Sequence, residues 1–362
     1  MNNTDETWET LIDSIHKQKA ILFLGHDITL NYKNSQKEAD FFRQLYQKNK
    51  EEIISFHEQD GFLVFKDSDA RSSNLHKLQK FYAEDFTNPL LEKLAEIPFH
   101  AILTTTPDLT MNTIFEKNKF LFSKGYHRAK VKKEVAEMPS KEKPLLYNLL
   151  GSAEDDESLI TSHYDLFNFV ESVYASQTLP TMLTNLLNKE NTRHIIFLGF
   201  DFGKWYFQLL LHLLKIKGAA NKSFANTIAK VDVDFVAFFN TQFKIHFVNH
   251  DLDSFVNTLH EKFAKEFPLR QPVTDAHKQN RKYLKNNIVK LLSKAFNPTD
   301  FETFCLCNFE TVHEEFTPEQ GQSKRINMLL DYVERHAAYE TLLAGAEEEN
   351  PVQFKNFAPY YE

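Results

Sequence analysis

Four short stretches of the 362-residue chain carry residue types that could do chemistry. "GHDITL" from Gly25, "TTTPDL" from Thr104, "NLLGS" around Leu150 and Gly151, and "GFDFGKW" from Gly199 each close an apolar run. Glycine lets backbone N–H groups approach a phosphate, hydroxyls and carboxylates can hold a ribose, and imidazole suits general-base work near neutral pH. His26 sits in the first stretch and His163 follows the third, whereas His100 and His194 open apolar runs and belong to the opposite end of a sheet. The residue before Gly151 is Leu150. Leucine has no lone pair, so it cannot accept a proton.

These stretches need a scaffold that brings them to one edge. "AILFLG", "FHAILTTT", "PLLYNLLG", "RHIIFLGF", "VDVDFVAFF" and "FKIHFVNH" are short apolar runs alternating with helix-like segments such as Trp8, Leu11, Ile12 and Ile15. That pattern predicts an α/β fold with a Rossmann-like, mainly parallel sheet covered on both faces. In such sheets ligands bind at the carboxyl ends of the strands, which places all four stretches on one rim. Residues 33–97 read as a mostly helical insertion, with Phe41, Phe42, Leu45 and Tyr46 at helical spacing and a hairpin signal at "DGFLVF". "FPLRQPVTDAH" holds two prolines and then the cap residues Thr274 and Asp275. It is read as a linker, 268–275, between a domain over 1–267 and a small all-α adaptor over 276–348, with a tail at 349–362. In the adaptor Leu284, Ile288, Leu291, Leu292 and Ala295 keep the helical period.

The order of the rim motifs, with "SLITSHYDLF" after the third, resembles the prokaryotic sirtuin-like (silent-information-regulator-type) family over about Ile21 to Phe263. "NNIVKLLSKAFNPTDFETFCLCNFE", Gly321, Lys324, "LLDYVERH" and "YETLLAGAEEENP" resemble the effector-associated, death-fold-like adaptor domains of bacterial conflict systems. The first resemblance implies nicotinamide adenine dinucleotide (NAD) as cofactor, held at Gly25, His26, Thr104, Thr105, Asp108, Gly151, Gly199 and Phe200, and a role in anti-phage defence. The second implies a protein partner recruited through the C-terminal domain. The chain departs from the sirtuin-like pattern in every motif. His26 and Asp27 stand where the phosphate loop has small residues, and Asp27 adds a like charge. Thr106 stands in the asparagine position of Thr-Thr-Asn-x-Asp, and its hydroxyl has neither the reach nor the paired donor and acceptor of an amide. Leu150 replaces the catalytic histidine, and only Gly199 clearly matches the fourth motif, although Phe200 offers an apolar face to a base. The expectation is a nucleotide-binding or structural and signalling module with degenerate catalytic positions. The alternative is an active NAD hydrolase in which His26 substitutes for the missing base. A deacylase would need the same base and a zinc-binding cysteine set.

Composition narrows the field further. With 42% hydrophobic and 25% charged residues the chain reads as a soluble globular protein, and a net charge of −8 repels a phosphate backbone. The basic run "KNKFLFSKGYHRAKVKK" from Lys117 to Lys133 could touch nucleic acid, but a solvated or protein-facing loop is the more frequent meaning. No membrane segment is expected, because Asp201, Gly203 and Lys204 break the one long apolar stretch. The polar start and the two cysteines, Cys305 and Cys307, fit a reducing cytoplasm. No metal is expected. His246 and His250 of "HFVNHDLD", beside Asp251 and Asp253, would lie about 13 Å apart on a strand, too far to share one ion. The 34 phenylalanines are mostly core, with some surplus for contact between copies of an expected homo-oligomer.

Overall fold

The computed structural model describes residues 3–30, 32–34, 36–135, 138–174, 178–187, 194–214, 223–227, 233–272, 283–336 and 338–361. The chain divides into two compact units, Met1–Pro272 and Val273–Glu362. In the first, seven parallel strands form one sheet: β1 (Ala20–Leu24), β4 (Ala101–Thr104), β5 (Ser123–Tyr126), β6 (Leu145–Asn148), β7 (His194–Leu198), β8 (Ser223–Asn226) and β9 (Ile245–Val248). Their order is β5-β6-β4-β1-β7-β8-β9. A separate antiparallel hairpin pairs β2 (Ile53–His57) with β3 (Phe62–Phe65).

Why the strands read as unbroken apolar runs is visible in β1, whose five residues are all buried. Ala20, Leu22 and Leu24 face one core, and Ile21 and Phe23 face the other. The first face is covered by α1 (Asn3–His16), α4 (Pro89–Glu96), α5 (Thr110–Lys117) and α10 (Leu252–Glu266), which bring Trp8, Leu91, Phe115 and Leu259. The second is covered by α6 (His163–Tyr174), α7 (Thr181–Leu186), α8 (Trp205–Leu213) and α9 (Val233–Phe243), with Phe169, Leu183, Phe207 and Phe239. Each such aromatic or aliphatic side chain contributes roughly 1.5–3 kcal/mol on burial. The segment between β1 and β4 holds α2 (Lys37–Lys48), the hairpin and α3 (Ser68–Tyr82) around their own core of Leu30, Phe42, Leu45 and Leu78. Its last helix, α4, joins the main sheet core instead.

Several expectations change. "VDVDFVAFF" is not a strand: from Val233 it forms α9, with Phe239 and Phe243 four residues apart in the same core and Phe235 packed against them. The periodicity is 3.6, and the run is apolar on two sides, which disguises it. The strand beside β9 is the inconspicuous "SFAN" of β8, and β5 lies inside the basic run as "SKGY". Arg270, placed by sequence in a linker, is 7% exposed and built into the first unit, while Thr274 and Asp275 lie outside the described residues. The stretch read as a tail folds: Pro351–Phe357 is a helix capped by Asn350, and Tyr360 is buried.

Among its described residues the second unit is built of helices. Its helices Lys285–Ala295, Pro298–Asn308, Glu310–His313, Gln322–Arg335, Tyr339–Glu349 and Pro351–Phe357 enclose Ile288, Leu292, Phe304, Leu329, Val333 and Leu342. Asn297 caps the second of these through the amides of Thr299 and Asp300.

Candidate functional site

The strand order reverses on either side of β1. The chain runs from β1 to β4, out to the edge strand β5 and back to β6 between them, and then crosses to place β7 on the other flank of β1. That switch point is where an open α/β sheet has its crevice. Here the two loops that would bound it lie on each other. A Cβ on Gly25 would sit 2.2 Å from the Gly199 carbonyl oxygen, and one on Gly199, whose φ is +69°, would meet the Ile28 nitrogen at 2.6 Å. The Asp27 amide donates to the Gly199 carbonyl at 3.0 Å, and the Gly25 amide donates to the Leu198 carbonyl at 2.9 Å. From the far side the Gly199 amide donates to the Asn226 side chain at 3.1 Å. The amides of Gly25, Asp27 and Gly199 are therefore spent inside the fold.

The second and third stretches are tied down in the same way. Thr104 donates its hydroxyl to the Thr106 carbonyl, and Thr105 is bonded to the Leu24 carbonyl through its amide and its hydroxyl. Asn148, at the end of β6, donates to the carbonyls of both Thr106 and Asp108 at 2.9 and 3.0 Å. One carboxylate oxygen of Asp108 accepts from the Thr110 amide at the start of α5. Its other oxygen and the Thr106 hydroxyl are buried without a partner. Gly151 has φ +91°, and a Cβ there would lie 2.1 Å from the Ser158 carbonyl oxygen. Ser158 closes that turn by accepting from the Ser152 amide and donating to the Asp155 carbonyl.

Leu150 is 7% exposed and lines a narrow apolar groove with Leu166, Val170, Tyr206 and Leu210. Phe200 does not offer a face to a base. It is 3% exposed and packs against Phe23, Phe197, Phe202 and Phe207 in the sheet core.

Among the histidines, His26 is the one drawn into a polar cluster on the rim. Its Nε2 lies 3.3 Å from Glu38 of α2, and the Tyr82 hydroxyl of α3 donates to the other Glu38 oxygen at 2.5 Å. Burial raises the Glu38 carboxyl pKa, but His26, Tyr82 and the nearby Lys204 outweigh that cost and hold it below the usual carboxylate range. Burial, and then the charge of Glu38, push the Tyr82 phenol well above its ordinary value. The Nδ1 of His26 is buried and unpartnered. The cluster fastens the α2–α3 insertion to the first rim loop, and it holds the imidazole inside protein rather than beside open space. His163 opens α6 and pairs with Asp60 at 3.0 Å. His100 precedes β4, where burial lowers its pKa to about 4, and His194 begins β7.

Other candidate chemistries dissolve on contact. Part of the basic run pairs with the acidic stretch that follows Gly151: Lys124 with Glu154, Arg128 with Asp155 and Glu157, and Lys133 with Asp155. Among the described residues no group of His, Cys, Asp and Glu could hold a metal ion. His250 lies edge-on to Trp8, and Cys305 is buried in the helical core, its thiol pushed up to about 12 by burial. Asn148, Asn226, Glu38 and Tyr82 are the site residues that motif spacing misses. Asn148 carries a sequence signal, an amide at the end of an apolar run, whereas Asn226, Glu38 and Tyr82 carry none.

The fold and its rim define a class: a parallel α/β unit followed by a small helical unit. Residues 100–231 match the family model of the SIR2-like domain, and residues 288–351 match that of effector-associated domain 7, so the chain joins the one to the other. A solved structure described by the mechanism and regulation of Sir2 enzymes is similar at 12% identity, over 72% of this chain and 98% of that one, with a TM-score of 0.33. No curated protein matches the chain. Among the described residues no helix is long and apolar enough to cross a membrane.

Proposed function

We propose that this protein serves in bacterial anti-phage defence as a non-catalytic SIR2-like module, with the effector-associated domain recruiting a protein partner. The observation that carries the proposal is Leu150: at the strand end where the resemblance requires a proton acceptor, the side chain is apolar, buried and packed. The rim supports it. NAD binding as the resemblance implies does not fit the residues present, because the Asp27 amide is donated to Gly199 and the two loops touch where a diphosphate would lie. Phe200, moreover, is turned into the core. Recruitment rests on residues 288–351, which match the model of effector-associated domain 7.

One observation favours the competing reading, an NAD hydrolase using His26. The Nδ1 of His26, one oxygen of Asp108 and the hydroxyl of Thr106 are buried without partners, so polar groups in this region are unmet. Purified full-length protein, alone and with a candidate defence partner, is incubated with NAD and assayed for nicotinamide by chromatography. No release in either arm is expected. Release that His26→Ala abolishes would overturn the non-catalytic reading in favour of the hydrolase.

A further inference from the structure

The face of the first unit formed by α6 and α8 carries an aromatic surface that nothing above uses. On α6, Tyr164, Phe167 and Tyr174 recur at helical spacing and are 70%, 57% and 82% exposed. Trp205, at the start of α8, is 41% exposed, and its ring centroid lies 6.4 Å from that of Phe167. Between the two helices runs the narrow groove floored by Leu166 and Leu210 and edged by Val170, Leu209 and Leu213, with about 210 Å³ of empty space including its open side. Large exposed aromatics are the residues that anchor protein contacts, and a soluble protein seldom leaves four of them on two adjacent helices uncovered.

We infer that this face is the contact between two copies of the chain, packed about a two-fold axis. Area is the first argument. Four aromatic side chains of about 150–250 Å² each, at those exposures, leave about 500 Å² of surface to cover. A standard interface buries about 800 Å² on each partner, of which roughly 60% is apolar, again about 500 Å². The patch alone therefore supplies the apolar share that one side of a stable dimer needs. Self-complementarity is the second. A two-fold contact sets the same surface against itself, so it must contain both what protrudes and what receives. The α6 aromatics form a ridge, the α6–α8 groove runs beside it, and ridges seat in grooves when helices pack. Glu171 is the one charge on the α6 stripe and is exposed. Like charges on the axis would repel, so the axis lies nearer Phe167 and Trp205, with Glu171 toward the rim. The inference does not depend on whether the rim is catalytic.

The test is the molar mass of the full-length protein at micromolar concentration, by light scattering and sedimentation, for wild type and surface variants. Phe167→Glu places two charges in the centre of the contact and is expected to give a monomer with wild-type far-UV circular dichroism, its thermal midpoint lowered only by the lost association. Tyr164→Lys, at a more exposed position, guards against a folding defect and is expected to weaken dimerisation by at least about tenfold. Ile54→Glu on the hairpin and Val352→Glu in the second unit, exposed at 60% and 67%, are expected to leave the dimer intact. A monomeric wild type, an unchanged mass for both α6 variants, or a mass lost equally in the control variants would each overturn the inference.

Discussion

Replacing Arg270 should unfold the first unit more readily than any surface change of similar size. Its guanidinium donates to the carbonyls of Ala95, Ile97, Phe99 and Lys141, and its own amide donates to the Glu96 carbonyl. Two of these carbonyls, Ala95 and Ile97, belong to the C-terminal end of α4, where helix carbonyls lack partners and the dipole favours a cation. The same group lies over the rings of Phe115 and Phe120, at 5.0 and 5.9 Å. Burial lowers its pKa to about 10, against the opposing charge of Glu142, so the site is costly to charge and relies on those carbonyls. Arg270→Met keeps much of the volume but leaves the buried carbonyls of Ala95 and Phe99 unmet, each costing about 1–3 kcal/mol, and weakens the bonding of Ile97, which keeps the Phe99 amide, and of the half-buried Lys141. Part of that is returned because no charge is desolvated, leaving a net loss of about 3 kcal/mol. For a unit of this size such a loss lowers the thermal midpoint by roughly 6–12 °C. Both tryptophans, Trp8 and Trp205, lie in the first unit, so intrinsic fluorescence in urea follows that unit alone. Arg270→Lys retains charge without the fork and should fall between wild type and Arg270→Met. If both variants lose less than about 1 kcal/mol, the assignment of Arg270 as the anchor of the α4 end is wrong.

Acid should weaken the first unit before carboxylates titrate. Burial lowers the pKa of His100 and His127 from 6.5 to about 4, so between those values the unfolded chain binds protons that the folded one refuses. Stability present above pH 6.5 then falls as pH drops toward 4, by about 2 kcal/mol for each histidine at pH 5. Urea unfolding between pH 7 and 5 reads this, and a flat profile would refute it. Tyr82→Phe removes the hydroxyl that donates to Glu38 and should cost about 2 kcal/mol. Because Glu38 is held below its usual range, its contribution is present above that range and lost at lower pH. The variant has less to lose, so its acid limb should be shallower than wild type. Leu150→His combined with Thr106→Asn should release no nicotinamide from NAD, because the Gly25–Gly199 contact is untouched. Turnover by that variant would show the loop closure to be overrated.

The sheet was legible because strands covered on both faces must be apolar throughout, and five of its seven members announce themselves that way. β5 and β8 escape because they are short and carry Ser123, Lys124, Ser223 and Asn226, whose backbones pair even though their side chains give no apolar run. α9 was misread for the opposite reason, since a helix apolar on more than one side imitates a buried strand. Arg270 was hidden because proline and charge are the composition of a linker. Only its four carbonyl partners, far away in sequence, reveal that the chain is still anchored there. The polar cluster of His26, Glu38 and Tyr82 was half legible. The histidine stands in a motif, but its partners come from the insertion and share no spacing with it.

Which motif letters speak about the cofactor can now be separated from those that speak about backbone. Gly25, Gly151 and Gly199 look like remnants of a nucleotide site, yet a Cβ at each would lie 2.2, 2.1 and 2.6 Å from a neighbouring backbone atom. Two of them also hold positive φ. The fold requires glycine there whether or not a dinucleotide ever binds, so their presence argues nothing for NAD. Thr104 and Thr105 are likewise engaged with neighbouring carbonyls. The informative positions are those that the backbone leaves free to vary: Leu150, which could be a histidine without breaking a turn, and Thr106, whose hydroxyl finds no partner. Both depart from what cofactor chemistry asks, and the glycines and threonines that agree with it are those the scaffold would keep in any case.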